Sequence, residues 1–170
     1  MRFKGVCKFA AGMLAVAILA PGAILAQGSD MVLKPADVGK LMPPSVYYRG
    51  QPANTQLRNS GGVKFADGSY VLSALVDTSG YSTAVAAKYQ AYFITEDAIK
   101  VGGQSLSAGV YGVGIVGDSL VVTDVGGHDV LTVSAADDAG LKRPMPLQVT
   151  ADPAGGFRLY LQRKFVTFTR

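Results

Sequence analysis

The fold class this sequence predicts is all-β: an antiparallel sandwich or a small closed barrel of about eight to ten short strands. Three observations predict it. Roughly nine to eleven brief runs of β-branched and aromatic residues recur about every ten residues. Turn-forming residues separate these runs, and 21 glycines supply the changes of direction they need. Beyond residue 45 no long stretch carries the three-to-four-residue apolar spacing of an amphipathic helix.

Residues 1–26 read as a secretory signal peptide. Arg2, Lys4 and Lys8 give it a positive start, and Phe9 to Ala20 is an apolar run broken only by Gly12. Pro21 and Gly22 end any helix there, since proline lacks the amide donor and glycine is too flexible. The run is shorter than the roughly 20 residues a bilayer requires, so a cleaved signal is expected and not a retained anchor. Cleavage is expected after Ala26, with Ala23 as the alternative. Cys7 lies in the charged start, where a lipid-attachment cysteine does not sit.

Residues 27–44 read as an irregular lead-in, with a short strand at Met31 to Lys34 and one or two helical turns from Pro35 to Leu41. Residues 45–170 read as one β domain. Its runs begin with Ser45 to Arg49, Thr55 to Asn59 and Val63 to Phe65, the second ended by Gly61 and Gly62. Asp67-Gly68 is a hairpin dipeptide leading into Ser69 to Asp77. Thr83 to Gln90 is the one helix-like stretch, and it runs directly into Tyr89 to Thr95. Ala98 to Val101 precedes Gly102-Gly103. Two apolar runs flank Gly117-Asp118, the clearest hairpin signal in the chain. Val130 to Ser134, Leu147 to Thr150 and Phe157 to Thr169 complete the series.

Composition bounds the chemistry. Three of the 16 basic residues fall in the signal and none of the 12 acidic ones does, so the mature chain carries a net charge of +1. That is no basic footprint for nucleic acid, and no polybasic cluster is present to hold anionic lipid. Loss of Cys7 removes the only thiol, and with it disulfides, thiolate metal sites and a cysteine nucleophile. No cofactor or metal is expected. About 144 residues suffice to hold a fold by burial alone, since a domain of this size buries roughly two-thirds of its unfolded surface.

His128 is the only histidine and sits in the turn Asp124-Val125-Gly126-Gly127-His128-Asp129. It is the candidate general base, oriented by Asp124 or Asp129. No G-x-S-x-G elbow supplies a nucleophile. Gly109-x-x-Gly112-x-Gly114 has no following helix and reads as curvature, a bulge or close packing under an aromatic ring. Tyr48 and Arg49 form one polar-aromatic cluster, and Asp77 and Tyr81 belong to another around Gly80. Such residues bury area while keeping a polar tip, which makes these four the candidate binding residues.

The segment Ile99-Lys100-Val101-Gly102-Gly103-Gln104-Ser105-Leu106-Ser107-Ala108-Gly109-Val110-Tyr111 resembles an element of exported bacterial β-domains of unknown function, whose members carry an "IGGKxLPAGTY" phrase. The chain lacks the tryptophan-containing motif of that family and has no tryptophan at all. The resemblance implies a bacterial envelope β-sandwich and no particular activity. The expected function is a non-catalytic exported module, periplasmic or extracellular, that binds a protein or small-molecule partner. The alternatives are a carrier with an apolar ligand inside a barrel, and a hydrolase using His128.

Overall fold

The computed structural model describes residues 28–170, so the signal-peptide expectation and both cleavage positions lie outside the described residues. In chain order the first elements are β1 (Met31–Leu33), α1 (Pro35–Val38), β2 (Ser45–Tyr48), β3 (Gln51–Lys64) and β4 (Tyr70–Val76). Then come α2 (Thr83–Lys88), β5 (Ala91–Thr95), β6 (Ile99–Val101), β7 (Gln104–Leu106) and β8 (Gly109–Val116). The series closes with β9 (Ser119–Thr123), β10 (Asp129–Ser134), β11 (Ala136–Asp137), β12 (Leu147–Ala151), β13 (Phe157–Leu161) and β14 (Lys164–Thr169).

These strands make a sandwich of two antiparallel sheets, with no closed barrel. The larger sheet runs β1-β3-β4-β5-β8-β9-β10, with β2 added on β3. The smaller runs β12-β13-β14-β6-β7, with β11 added on β14. The chain passes from β10 to β11 across one residue, Ala135, and so crosses from one sheet to the other at that edge.

Alternation decides which side chains meet in the middle. On β5, Ala91, Phe93 and Thr95 point inward and are buried, while Tyr92 and Ile94 between them face out. Phe93 meets Phe168 edge-on at 6.4 Å, and Phe65 meets Phe157 at 6.1 Å, so aromatic pairs from both sheets lock the layers. Each fully buried Val, Leu or Phe contributes roughly 1.5–3 kcal/mol of transfer free energy. The filled interior leaves a void of about 10 Å³ among Phe93, Val113, Leu159 and Phe168. That is about enough for one water molecule. The expectation of an apolar ligand carried inside a barrel therefore meets an open sandwich and a packed interior.

The outer face of the larger sheet is also covered. Leu33 and Val38 with Met42 pack on Leu72 and Ala74 of β4, so β4 is buried on both faces. Residues 31–42, expected as a lead-in with a short strand and one or two helical turns, carry β1 and α1 and close one side of the sheet. The helix-like stretch at Thr83 forms α2, whose first turn is capped by Ser82.

Two local expectations change. Gly61 and Gly62 do not end a strand; β3 runs through them, and the ladder to β4 shifts between Gln56 and Ser60. A Cβ on Gly61 would lie 2.8 Å from the Val149 amide nitrogen, so the glycine lets β3 approach β12 of the other sheet. The strands among the described residues number fourteen, above the eight to ten expected: β7 and β11 are too short for alternation to show, and the run from Phe157 to Thr169 divides into β13 and β14. The Ile99 to Tyr111 segment folds as β6, a Gly102-Gly103 turn, β7 and the start of β8.

Candidate functional site

Two groups of candidate residues that lie far apart in the chain meet on the outer face of the larger sheet. Arg49 and Gly50 both take positive φ, 49° and 81°, and turn β2 into β3 as a two-residue hairpin loop. The amide of Arg49 donates to the Val125 carbonyl at 3.2 Å, which ties this turn to the Asp124–His128 turn. Gly127 lies against the Tyr48 hydroxyl, where a side chain has no room. Tyr48 is buried, with its ring 4.8 Å from Tyr89 and 5.9 Å from Tyr81. The Tyr81 hydroxyl donates to the Gln51 carbonyl at 3.2 Å. Its burial and the nearby Tyr48 raise its pKa above the ordinary tyrosine value. Tyr48 and Tyr81 are therefore parts of an aromatic layer over β8, and the guanidinium of Arg49 stays exposed at its rim.

The other candidates do more local work. Asp77 accepts from the Ser79 amide at 3.1 Å and holds the turn after β4. That bond keeps its carboxyl below the usual range. His128 contacts Asp124 twice, through its own amide at 2.9 Å and through Nδ1 at 3.0 Å. The amide bond is the main reason the Asp124 carboxyl is held below the usual range. Asp129 turns instead to Lys88, at 2.6 Å. Asp124, not Asp129, is thus the partner that orients the imidazole. The histidine side chain is 81% exposed, and no hydroxyl is hydrogen-bonded to its ring among the described residues. A carboxylate-oriented imidazole in open solvent can exchange protons with water, but no second reacting group is placed beside it.

The glycine pair on β8 explains the aromatic layer. Tyr89 lies flat on Gly112, in the space a Cβ would fill, and the carbonyl of Ala87 occupies the same position over Gly114. These two glycines are what lets α2 and Tyr89 sit directly on the sheet.

A wide concavity lies elsewhere, at the end of the sandwich where β4 stops and β5 begins. It is an open groove of about 840 Å³ between the two sheets. Leu75 and Ile115 come from the larger sheet and Leu161 from the smaller, while Pro144 and Pro146 form a wall. Thr78, Gln90, Asp137, Gln162, Arg163 and Lys164 supply its polar groups. The Gln90 amide donates to the Ile115 carbonyl at 3.1 Å and accepts from the Ile115 amide at 3.3 Å, extending the ladder by one step before β5 begins. Lys164 reaches Asp118 at 2.6 Å, which raises its own pKa and lowers that of the aspartate. Arg163 donates through Nη1 to the carbonyls of Leu141 (2.7 Å) and Asp138 (3.4 Å) and so braces the loop that carries the prolines.

Sequence reasoning did not find this groove, because its lining comes from separate stretches between Leu75 and Lys164. The one local signal was the pair of prolines around Met145, next to a basic turn at Arg163-Lys164. Among the described residues no cluster of His, Cys, Asp and Glu is arranged to hold a metal ion, and no helix is long and apolar enough to cross a membrane. No family model, curated protein or solved structure matches the chain, so its fold and its groove stand on their own geometry.

Proposed function

We propose that the mature chain is an exported, non-catalytic binding module of the bacterial envelope, and that its ligand seats in the groove at the end of the sandwich. One observation carries the reading: a concavity of about 840 Å³ whose lining is shared evenly between apolar and polar side chains. Small-molecule sites commonly have volumes of about 300–1,000 Å³ and combine apolar surface with polar groups that orient the ligand. The groove also joins both sheets, so a ligand there touches the rigid ends of several strands and does not depend on one loop.

The test is an amide-resolved NMR titration of the mature chain with a library of small amphiphiles. Shifts gathered on Leu75, Gln90, Ile115 and Leu161 to Lys164 support the reading. Shifts confined to Arg49, Tyr81 and His128 transfer the site to the aromatic layer and overturn it. The export half is tested separately, by fractionating cells and sequencing the N-terminus of the recovered protein. A start at Gln27 or Ile24 supports it, and a cytosolic chain that retains Met1 refutes it.

A further inference from the structure

We infer that the groove takes a carboxylate-headed amphiphile, an apolar chain ending in one carboxylate, whose head group is gripped by Arg163; this rests on the groove being the binding site. Arg163 stands out among the described arginines. Arg158 and Arg170 each pair with aspartate. Arg49, Arg58 and Arg143 are exposed to water. Arg163 is half-buried, and among the described residues no carboxylate lies within 4.0 Å of it. A partly desolvated charge without a counter-charge is unfavourable, and a bound anion removes that penalty.

Its geometry suits an anion. The Gln162–Arg163 turn is fixed by a left-handed Gln162, φ 59°, whose amide donates to the Pro146 carbonyl at 3.2 Å. Nη1 is committed to the carbonyls of Leu141 and Asp138, so the guanidinium plane does not rotate freely. Nε and Nη2 have no acceptor among the described residues. Together they form the edge that receives the two oxygens of a planar carboxylate. The neighbouring Lys164 is already neutralised by Asp118, and the Asp137 carboxylate that also lines the groove is exposed to water, which leaves Arg163 as the half-buried charge that discriminates. Beside it Leu75, Ile115, Leu161 and Pro146 offer the apolar surface a short chain would cover. An uncharged chain would leave the guanidinium unpaired, and a small anion would leave the floor wet.

The experiment is an NMR titration of the native mature chain with octanoate, octanol, octylamine and acetate. Octanoate is expected to shift Leu161 to Lys164 and Ile115, binding about tenfold or more tightly than octanol or acetate; octylamine is expected not to bind. The variant R163Q is expected to lose that preference about tenfold while its amide spectrum stays dispersed. Because R163Q also removes the brace on the 138–146 loop, the ligand comparison on the native chain decides the matter if the variant unfolds. Octanol binding in the groove as tightly as octanoate overturns the role of Arg163 and leaves the groove as the binding site. No shift at the groove with any of the four probes overturns both.

Discussion

Tyr89 buries its whole ring and leaves its hydroxyl without a partner, the one buried side-chain polar atom so placed among the described residues. Water would have satisfied that hydroxyl in the unfolded chain, so its burial works against folding. Burial also pushes its pKa far above the ordinary tyrosine value, with Tyr92, Tyr81 and Tyr48 adding to the effect. Tyr89→Phe keeps the ring on Gly112 and removes the stranded oxygen. It is expected to stabilise the protein by about 1 kcal/mol, read as a higher denaturant midpoint at unchanged slope. A lower midpoint would mean that the hydroxyl has a partner in solution. The opposite change is Gly112→Ala, which places a methyl group inside the Tyr89 ring. Overpacking of this kind is expected to destabilise by about 3 kcal/mol, since neither the strand nor the ring can retreat. Adding Tyr89→Ala to Gly112→Ala vacates the contested space, so the double variant is expected to lose less than the two single losses combined. Simple additivity in the denaturation data would show that the contact is not what fixes Gly112.

At the level of elements, Gln90 does the work of a missing strand rung. Where α2 gives way to β5, its side-chain amide satisfies both backbone groups of Ile115 and also donates to the Ala87 carbonyl at 3.0 Å. Gln90→Ala is expected to destabilise by about 1–3 kcal/mol, because those groups lose their partners at a half-buried site. Hydrogen exchange would place the loss: the Ile115 amide should lose its protection while the Phe93 amide, deep in the ladder, keeps most of its own. Equal protection at Ile115 in the variant would mean that water replaces the amide without penalty. This rung also marks the limit of what the sequence discloses. The alternation from Ala91 to Thr95 and the two apolar runs around Gly117-Asp118 are plain, since period two is a local property. That His128 has a carboxylate beside it in its own turn was also visible, but not which one: Asp124 takes it, while Asp129 turns to Lys88. The groove was not visible. Leu75, Gln90, Ile115 and Arg163 meet only after two sheets have stacked, and no spacing in the chain encodes that meeting. The same is true of Gly127 under Tyr48, a contact between two turns. Gly61-Gly62 misled for a related reason: a glycine that ends a strand and one that lets a second sheet come close look alike in sequence.

Across the whole molecule, ion pairs stitch together parts of the fold that burial alone leaves at the margin. Asp67, in the turn before β4, meets Arg170 at the far end of the chain. Asp118, between β8 and β9, meets Lys164 and so joins the two sheets. Asp152 meets Arg158 across the β12–β13 turn. The arginine or lysine partner is the main cause that holds each of these three carboxyls below its usual range. A carboxyl with a lowered folded-state pKa contributes stability above its unfolded value of about 4, and that stability is lost as the pH falls through the folded value. Stability is therefore expected to decline as the pH drops below about 5. The alkaline side is governed by different groups. Tyr89 and Tyr92, with pKa values raised chiefly by burial, stay protonated when the unfolded chain has begun to ionise. A raised folded-state value gives stability that is complete below about pH 10 and falls as the pH climbs from there toward the folded value. Lys164, raised by Asp118, acts in the same direction. Denaturant midpoints measured from acid to alkali should thus form a plateau between about pH 5 and pH 10. Tyr89→Phe separates the two limbs: its acid limb should fall with the same slope as that of the native chain, from a higher midpoint, while its alkaline limb becomes shallower. If both limbs of the variant keep the slopes of the native chain, ionisation of the buried tyrosine does not govern alkaline unfolding, and the lysine pair would have to account for it.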